Sequence, residues 1–303
     1  MPLAVVLNLD AEDELARGAR WTPSAVMRAR MERIAASIAL PAGAVRVIEG
    51  TRLDASYEGR AWCPTPRALA SLERCGARIA PHPSFEVLRR VNERGFAREL
   101  ASLDPEHDLG ATLRATDSVA VRAHVAHAGP TGAWRLKRAF GVAGRGQRDV
   151  RAGVIGQSDV AWIEASLRLG ALYVEPRAQI VRELSVHGWA TSGRTFVRTV
   201  REQRIEHGSF VSSHALAPDA LQRAHRRALI ETAERVGDAL IAAGYEGPFG
   251  IDAYVHRVEG GEQLRALSEI NARYCMAWDD EDGWLPPSEA RACDPDARPE
   301  RTT

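Results

Sequence analysis

The feature that most restricts the fold of this 303-residue chain is a pair of strand-like segments, 249–255 and 264–270, connected through Gly260-Gly261. Paired glycines supply the positive φ angles of tight hairpin turns, so the two segments are expected to fold back as an antiparallel hairpin. Alternate side chains of a strand share a face. In Leu267-Ser268-Glu269-Ile270-Asn271-Ala272-Arg273, Glu269, Asn271 and Arg273 therefore project together, and Ser268, Ile270 and Ala272 project the other way. In Phe249-Gly250-Ile251-Asp252-Ala253-Tyr254, Asp252 opposes the apolar direction of Ile251 and Ala253. With matching register, Asp252 meets Glu269 and Asn271 across the ladder. Two carboxylates and an amide oxygen form a hard, oxygen-only donor set that suits Mg²⁺, with Mn²⁺ as the alternative. Zinc would want His or Cys among the donors. Arg273, one step along the same face, can contact a phosphate oxygen. A solvated polar face would use the same residue types; the interleaved Ile251 and Ile270 favour a strand packed on one face with its carboxylates on the other.

A second constraint is compositional. Of the 40 lysines and arginines, 39 are arginine, and the single lysine, Lys137, stands in Trp134-Arg135-Leu136-Lys137-Arg138-Ala139-Phe140-Gly141-Val142-Ala143-Gly144-Arg145-Gly146. A lysine is a compact point charge on a thin stem and an arginine a wide planar fork. One lysine kept beside a loop of small residues suggests a narrow slot for an anion, most simply a phosphate. The alternative is a chance survivor of a bias toward arginine. A third candidate is Tyr173-Val174-Glu175-Pro176, a strand that ends in proline and so leaves backbone groups unpaired. Such a hinge can read an adenine edge through main-chain groups, with Glu175 and Glu183 available for an amino group or ribose hydroxyls.

The composition is that of an ordinary globular chain, 45% hydrophobic and 26% charged, with a formal net charge of zero. That balance calls for neither nucleic acid nor a membrane surface, and no apolar run approaches the ~20 residues of a membrane span. Cys63, Cys75, Cys275 and Cys293 lack CxxC spacing, which points to a reducing, cytoplasmic setting rather than a disulfide framework.

Strands and helices alternate over 1–112, which predicts a small α/β domain. Thr22-Pro23 and Thr65-Pro66 read as helix starts, with threonine as N-cap and proline at the first helical position; Gly76 reads as the end of the second helix. A single helix is expected over about 84–100. Strands are expected at 133–138, near 150–155, at 171–175, at 179–190 and at 193–200. Ser158 is expected to cap one helix, and about 219–243 to form a long one. Beyond Asp279 the chain is acidic and proline-bearing, and is expected to be a poorly ordered tail.

Taken in order, Lys137 with Gly141-x-x-Gly144-Arg145-Gly146, then Val174-Glu175-Pro176 and Glu183, then Gly250-Ile251-Asp252, then Glu269-Ile270-Asn271-Ala272-Arg273, this series resembles the ATP-grasp superfamily over about 113–278. The segment before it, including Leu88-Arg89-Arg90-Val91-Asn92, is similar to the α/β domain that usually precedes such a unit. The resemblance implies an α/β and α+β chain: a pre-ATP-grasp domain at 1–112, a small lid subdomain at 113–190, a C-terminal subdomain with the metal hairpin at 191–278, and the tail at 279–303. It implies that ATP lies between the subdomains. Lys137 would contact the α/β-phosphates, and the loop of Gly141, Gly144, Arg145 and Gly146 would close over the β/γ-phosphates. Tyr173, Val174 and Glu175 would hold adenine, Glu183 the ribose, and Asp252, Glu269 and Asn271 the Mg²⁺. Arg273, with Lys137, would act on the transferring phosphate. The reaction so implied is ligation of a small-molecule or peptide carboxylate to an amine, or less often a thiol, through an acyl phosphate, in a chain compatible with a homodimer. Members of the superfamily often carry a lysine after the aspartate at 117, where this chain has Ser118, and a proline at 138, where it has arginine. The ending at 271–276 differs from the Asn-x-x-Pro-Gly of dipeptide ligases. A small-molecule kinase and a non-catalytic ATP-binding protein on the same fold are the alternatives. A dinucleotide dehydrogenase is disfavoured because the strand at 5–9 runs into Asp10-Ala11-Glu12-Asp13 rather than a Gly-x-Gly-x-x-Gly turn.

Overall fold

A computed structural model of the chain describes residues 1–141, 146–206, 209–276, 278 and 284–287. The first region alternates strand and helix: β1 (Leu3–Val6), α1 (Ala11–Arg17), α2 (Ala25–Ala36), β2 (Val45–Arg46), β3 (Glu58–Ala61), α3 (Pro66–Cys75), β4 (Arg78–Ile79), α4 (Phe85–Asn92) and α5 (Arg94–Ala101). Its strands form one parallel sheet in the order β2-β1-β3-β4. The second region comprises β5 (Leu113–Ala115), α6 (Ser118–Ala126), β6 (Ala133–Arg138), β7 (Gln147–Arg151), α7 (Gln157–Leu167) and β8 (Leu172–Pro176). These strands form an antiparallel sheet, β5-β8-β6-β7, and α6 and α7 cover a core of Val121, Val125, Trp134, Leu136, Ile163 and Val174. The third comprises β9 (Gln179–Thr191), β10 (Arg194–Glu206), β11 (Ser209–Ala215), α8 (Arg223–Ala242), β12 (Gly247–Val258) and β13 (Gly261–Asn271), in an antiparallel sheet ordered β11-β10-β9-β12-β13. The mixture of one parallel and two antiparallel sheets is the α/β and α+β class expected. Among the described residues no helix is long and apolar enough to cross a membrane.

Local chemistry explains several boundaries and corrects others. Gly76, at φ +92°, ends α3 in the left-handed conformation that glycine adopts at least cost. Helix α2 starts later than expected: Ser24, not Thr22, accepts from the Met27 amide at 3.3 Å. Thr65 precedes α3 but does not cap it, because its hydroxyl donates to Glu14 at 2.7 Å. The segment 84–100 breaks into α4 and α5 at Glu93, whose extended backbone (ψ 132°) cannot continue a helix. Ser158 lies inside α7, and Gly156 is the residue before the helix. β9, which the expected boundary at 190/191 groups with the small sheet, is the middle strand of the large sheet, paired to β10 and β12. β11 was not expected from the sequence. The tail expectation fails at Trp284, which is 1% exposed and stacks on Tyr274 with ring centroids 4.3 Å apart; the remainder of the tail lies outside the described residues, save 285–287.

The core of the large sheet is shared with the first region. Leu3, Val5 and Leu15 from the parallel domain, and Leu88, Val91 and Ala97 from α4 and α5, join one cluster with Leu184, Val186, Phe249 and Ile251. Helix α8 adds Leu229, Ala233, Val236 and Leu240 to the same cluster, all fully buried at helical spacing. Burying each of the larger side chains stabilises by about 1.5–3 kcal/mol, which outweighs the ~1 kcal/mol that Gly237 costs in helix propensity. A Cβ at Gly237 would run into the side chain of Thr195 on β10, so the glycine permits close approach of helix to sheet. Gly237→Ala should therefore destabilise. Its propensity gain of about 1 kcal/mol is smaller than the ~1–3 kcal/mol cost of overpacking, and the urea midpoint should fall below that of the wild type.

Candidate active site

A single cleft of about 1120 Å³ lies between the small sheet, the large sheet and α2, and it gathers the residues singled out in the sequence. Lys137 and Gly141 reach it from β6 and the loop that follows, Glu175 from β8, Glu183 from β9, Asp252 from β12, and Glu269, Asn271 and Arg273 from β13 and its end. Alternation explains the placement on β6: Trp134 and Leu136 point into the small core, and Arg135 and Lys137 point into the cleft.

Lys137 is 4% exposed and ion-paired to Glu175, which is also ion-paired to Arg265 of β13 at 3.3 Å. Burial drives the Lys137 ammonium down to about 8, with Arg94 and Arg265 adding to the effect and Glu175 opposing it, so it is protonated at neutral pH. Burial would raise Glu175, yet Lys137 and Arg265 together hold it at about 2. The pair sits in a dry setting, where each ion depends on its partner.

The hairpin has the expected register: Asp252 lies directly opposite Glu269, and Gly250 opposite Asn271. Asn271 Nδ2 donates to Asp252 Oδ2 at 2.9 Å, and Gln203 Nε2 donates to Oδ1 at 3.1 Å. Glu269 is held by both terminal nitrogens of Arg94 at 3.2 and 3.3 Å. Burial, then the neighbouring Glu269 charge, raises Asp252 to about 6. Burial, then Asp252, raises Glu183 to about 7. Both carboxylates are raised first by burial and second by a neighbouring carboxylate, and a cation between them would favour their charged forms. Among the described residues no group of three or more His, Cys, Asp and Glu side chains is gathered for a metal. The donor set here is instead two carboxylates and an amide, and its oxygens fit a hard divalent cation once Arg94, Asn271 and Gln203 yield their hydrogen bonds. Arg273 pairs with Glu12 of α1, and it donates to Asn271 Oδ1 at 2.8 Å and to the Tyr274 carbonyl at 3.0 Å.

Some expected residues stand elsewhere. Tyr173 turns its hydroxyl to Glu93 at 2.6 Å, outside the cleft, and Val174 is fully buried in the small core. Their strand is paired on both edges, to β5 and β6, so neither residue offers a free backbone edge. Beyond Pro176 the Arg177 amide still donates to the Ala133 carbonyl at 3.0 Å and β9 begins at Gln179, so Ala178, which lines the cleft, is the one residue between the two ladders. Gly146 is described, at φ +83°, and its carbonyl accepts from the Arg138 amide at 2.8 Å; Gly144 and Arg145 lie outside the described residues. On β10, Arg201 donates to Ser213 Oγ at 3.0 Å, Arg204 pairs with Glu206, and Arg198 lies over the Trp278 ring at 5.3 Å. Glu12, Arg94, Gln203 and Arg265 were missed. Among 39 arginines no sequence signal separates Arg94 or Arg265, and Gln203 joins the site only through its pairing opposite Glu183.

No protein-family model matches the chain, and no curated protein matches it. Solved structures do resemble it. A carboxyaminoimidazole ribonucleotide synthase from Aspergillus clavatus, complexed with ATP, matches 91% of this chain and 71% of its own at 17% identity and a TM-score of 0.51. D-alanyl-alanine synthetase A from Vibrio cholerae matches 89% and 88% at 14% identity and 0.53. Biotin carboxylase from Campylobacter jejuni, as an ATP-analogue complex, matches 77% and 56% at 17% identity and 0.55. All are ATP-grasp enzymes, and this chain has the ATP-grasp fold behind an α/β domain.

The Lys137–Glu175–Arg265 group yields a prediction. Glu175 has a depressed folded pKa, about 2 against 4.5, so its contribution is fully present above pH 4.5 and is lost as pH falls toward 2. Glu175→Gln should cost about 3–5 kcal/mol at pH 7, because two buried cations lose their counter-charge. The difference in melting temperature between wild type and variant, followed by circular dichroism, should narrow between pH 5 and 3.

Proposed function

We propose that the chain is an ATP- and Mg²⁺-dependent ligase that activates a carboxylate as an acyl phosphate and joins it to an amine, or less readily a thiol. The observation that carries this reading is the convergence of Lys137 and the Asp252–Glu269–Asn271 hairpin on one cleft between the two antiparallel sheets. It adds to the ATP-grasp fold a donor and cation arrangement matched to a polyphosphate.

In this reading adenine lies at the apolar end of the cleft, against Ile180, Ile205 and Phe210. Its edge meets main-chain groups beyond Pro176, since the Glu175 side chain is engaged by Lys137 and Arg265. Glu183 receives the ribose. Lys137 leaves Glu175 for the α/β-phosphates, and Gly141 and Gly146 approach the β/γ-phosphates. Asp252, Glu269 and Asn271 would hold Mg²⁺, which when bound neutralises phosphate charge. The substrate carboxylate oxygen attacks the γ-phosphorus and ADP leaves. The amine then attacks the acyl carbon, phosphate leaves, and the amine loses a proton. Arg273 stabilises the transferring phosphoryl group after exchanging Glu12 for it. No protein nucleophile is required; positioning and charge complementarity suffice.

The test is ADP release from MgATP with pooled carboxylates and amines, with products identified by mass spectrometry. Lys137→Arg should lower turnover about a hundredfold or more, since a planar fork does not fit a slot shaped for an ammonium, and Glu269→Ala should abolish it. Turnover indifferent to both substitutions refutes the ligase reading. A stable phosphorylated product with no amine requirement would assign a kinase, and MgATP binding without turnover in any pool would assign a non-catalytic binder.

A further inference from the structure

The cleft has a second apolar end, which a nucleotide bound as above does not use. On α2 and just past it, Met31, Ile34 and Ile38 line the cleft at helical spacing, so they form one stripe. Trp62, which follows β3, and Met276 and Trp278, which follow the metal hairpin, line the cleft with them, and all six belong to or pack against one apolar cluster. This end is remote from the hinge. The ring of Trp278 stacks on His187 at 5.0 Å. His187 lies seven residues along β9 from Ile180, about 23 Å of extended strand at the usual rise. The polar middle of the cleft, with Asn271 and Arg273, lies between the two ends.

The wall is rigid. Trp62 and Trp278 are 3% and 4% exposed, and both contact Tyr274 at ring distances of 6.5 and 5.6 Å. Tyr274 in turn donates its hydroxyl to the Trp284 carbonyl at 2.9 Å, and its amide donates to the Trp62 carbonyl at 3.1 Å. An aromatic-walled slot held this way favours an apolar body over a hydrated one. At its mouth Arg30 and Arg33 also line the cleft, one helical turn apart on a stripe beside the apolar one. Both are exposed and form no ion pair among the described residues.

We propose that this end of the cleft is the carboxylate-substrate subsite, and that it takes an acid with an apolar, aliphatic or aromatic body and a second anionic group held by Arg30 and Arg33. The reactive carboxylate then points to Arg273 and Asn271. This assignment rests on the ligase reading for the direction of the carboxylate, and on the slot alone for the apolar body and the second charge.

The experiment is calorimetric titration of the full chain with benzylsuccinate, 3-phenylpropionate and succinate, each with and without a non-hydrolysable ATP analogue and Mg²⁺. Benzylsuccinate is expected to bind at least tenfold tighter than succinate, because the phenyl body leaves water, and tighter than 3-phenylpropionate. Ile34→Asp should abolish the advantage of the apolar body. Arg33→Glu, at an exposed position that the fold does not need, should bring benzylsuccinate down to the level of 3-phenylpropionate. The affinity for the ATP analogue should be unchanged in both. Failure of the analogue to bind while benzylsuccinate behaves as described would refute the nucleotide reading and leave the slot standing. Binding of succinate as tight as that of benzylsuccinate, or benzylsuccinate binding untouched by Arg33→Glu, would overturn the proposal.

Discussion

Two buried ions cannot sit in a dry interior unless each faces an opposite charge, and that constraint organises this molecule. Lys137 on the small sheet pairs with Glu175, and Glu175 is shared with Arg265 of the large sheet. Arg265 reaches on to Asp108, in the segment that joins the first region to the small sheet, and Asp108 is itself held by Arg98 of α5. Charges from all three regions thus meet in one chain of ion pairs. Removing any member leaves a neighbour desolvated and uncompensated, a far larger loss than that of an exposed ion pair.

Arg94 does a related task nearer the hairpin. Its backbone amide donates to the Ala139 carbonyl at 3.0 Å and its Nε to the Arg138 carbonyl at 3.1 Å, while its terminal nitrogens hold Glu269. One side chain therefore ties the end of the strand that carries Lys137 to the carboxylate opposite Asp252. It emerges at the break between α4 and α5, so the interruption of the expected single helix is what aims it. Glu12 and Arg273 form a parallel link, from α1 to the end of β13. The parallel domain therefore contributes charge to the site and is more than a support for it.

The cleft combines three environments: an apolar end near the hinge, a charged middle and an aromatic end beneath α2. Asp252 and Glu183 are raised for the same reason, since each carboxylate is desolvated beside another. A cation bound between them would favour the charged form of both. The basic groups Lys137 and Arg273 are each occupied by an acid of the protein itself. In the proposed cycle, polyphosphate would displace those acids.

The sequence alone determined the hairpin and the face on which its carboxylates stand, because a period of two sends Asp252, Glu269 and Asn271 one way once Ile251 and Ile270 must be buried; the pairing of Asp252 with Glu269 was set by a shift of register between Asp252 and Tyr254 that only the folded sheet shows. It also determined that Lys137 is special, since one lysine among arginines can be seen without coordinates. Those signals are local: they depend on alternation, turn glycines and residue type. The tertiary structure decided the rest. It moved Tyr173 and Val174 out of the cleft, because β8 is paired on both edges, and it committed Glu175 to Lys137 and Arg265. It brought in Glu12, Arg94, Gln203 and Arg265, none of which differs in the sequence from dozens of similar surface-type residues. It turned part of an expected tail into the aromatic wall around Trp284. Side chains from distant segments meet only after the sheets pack, and which arginine meets which carboxylate is set by that packing and by the cost of leaving either one buried alone.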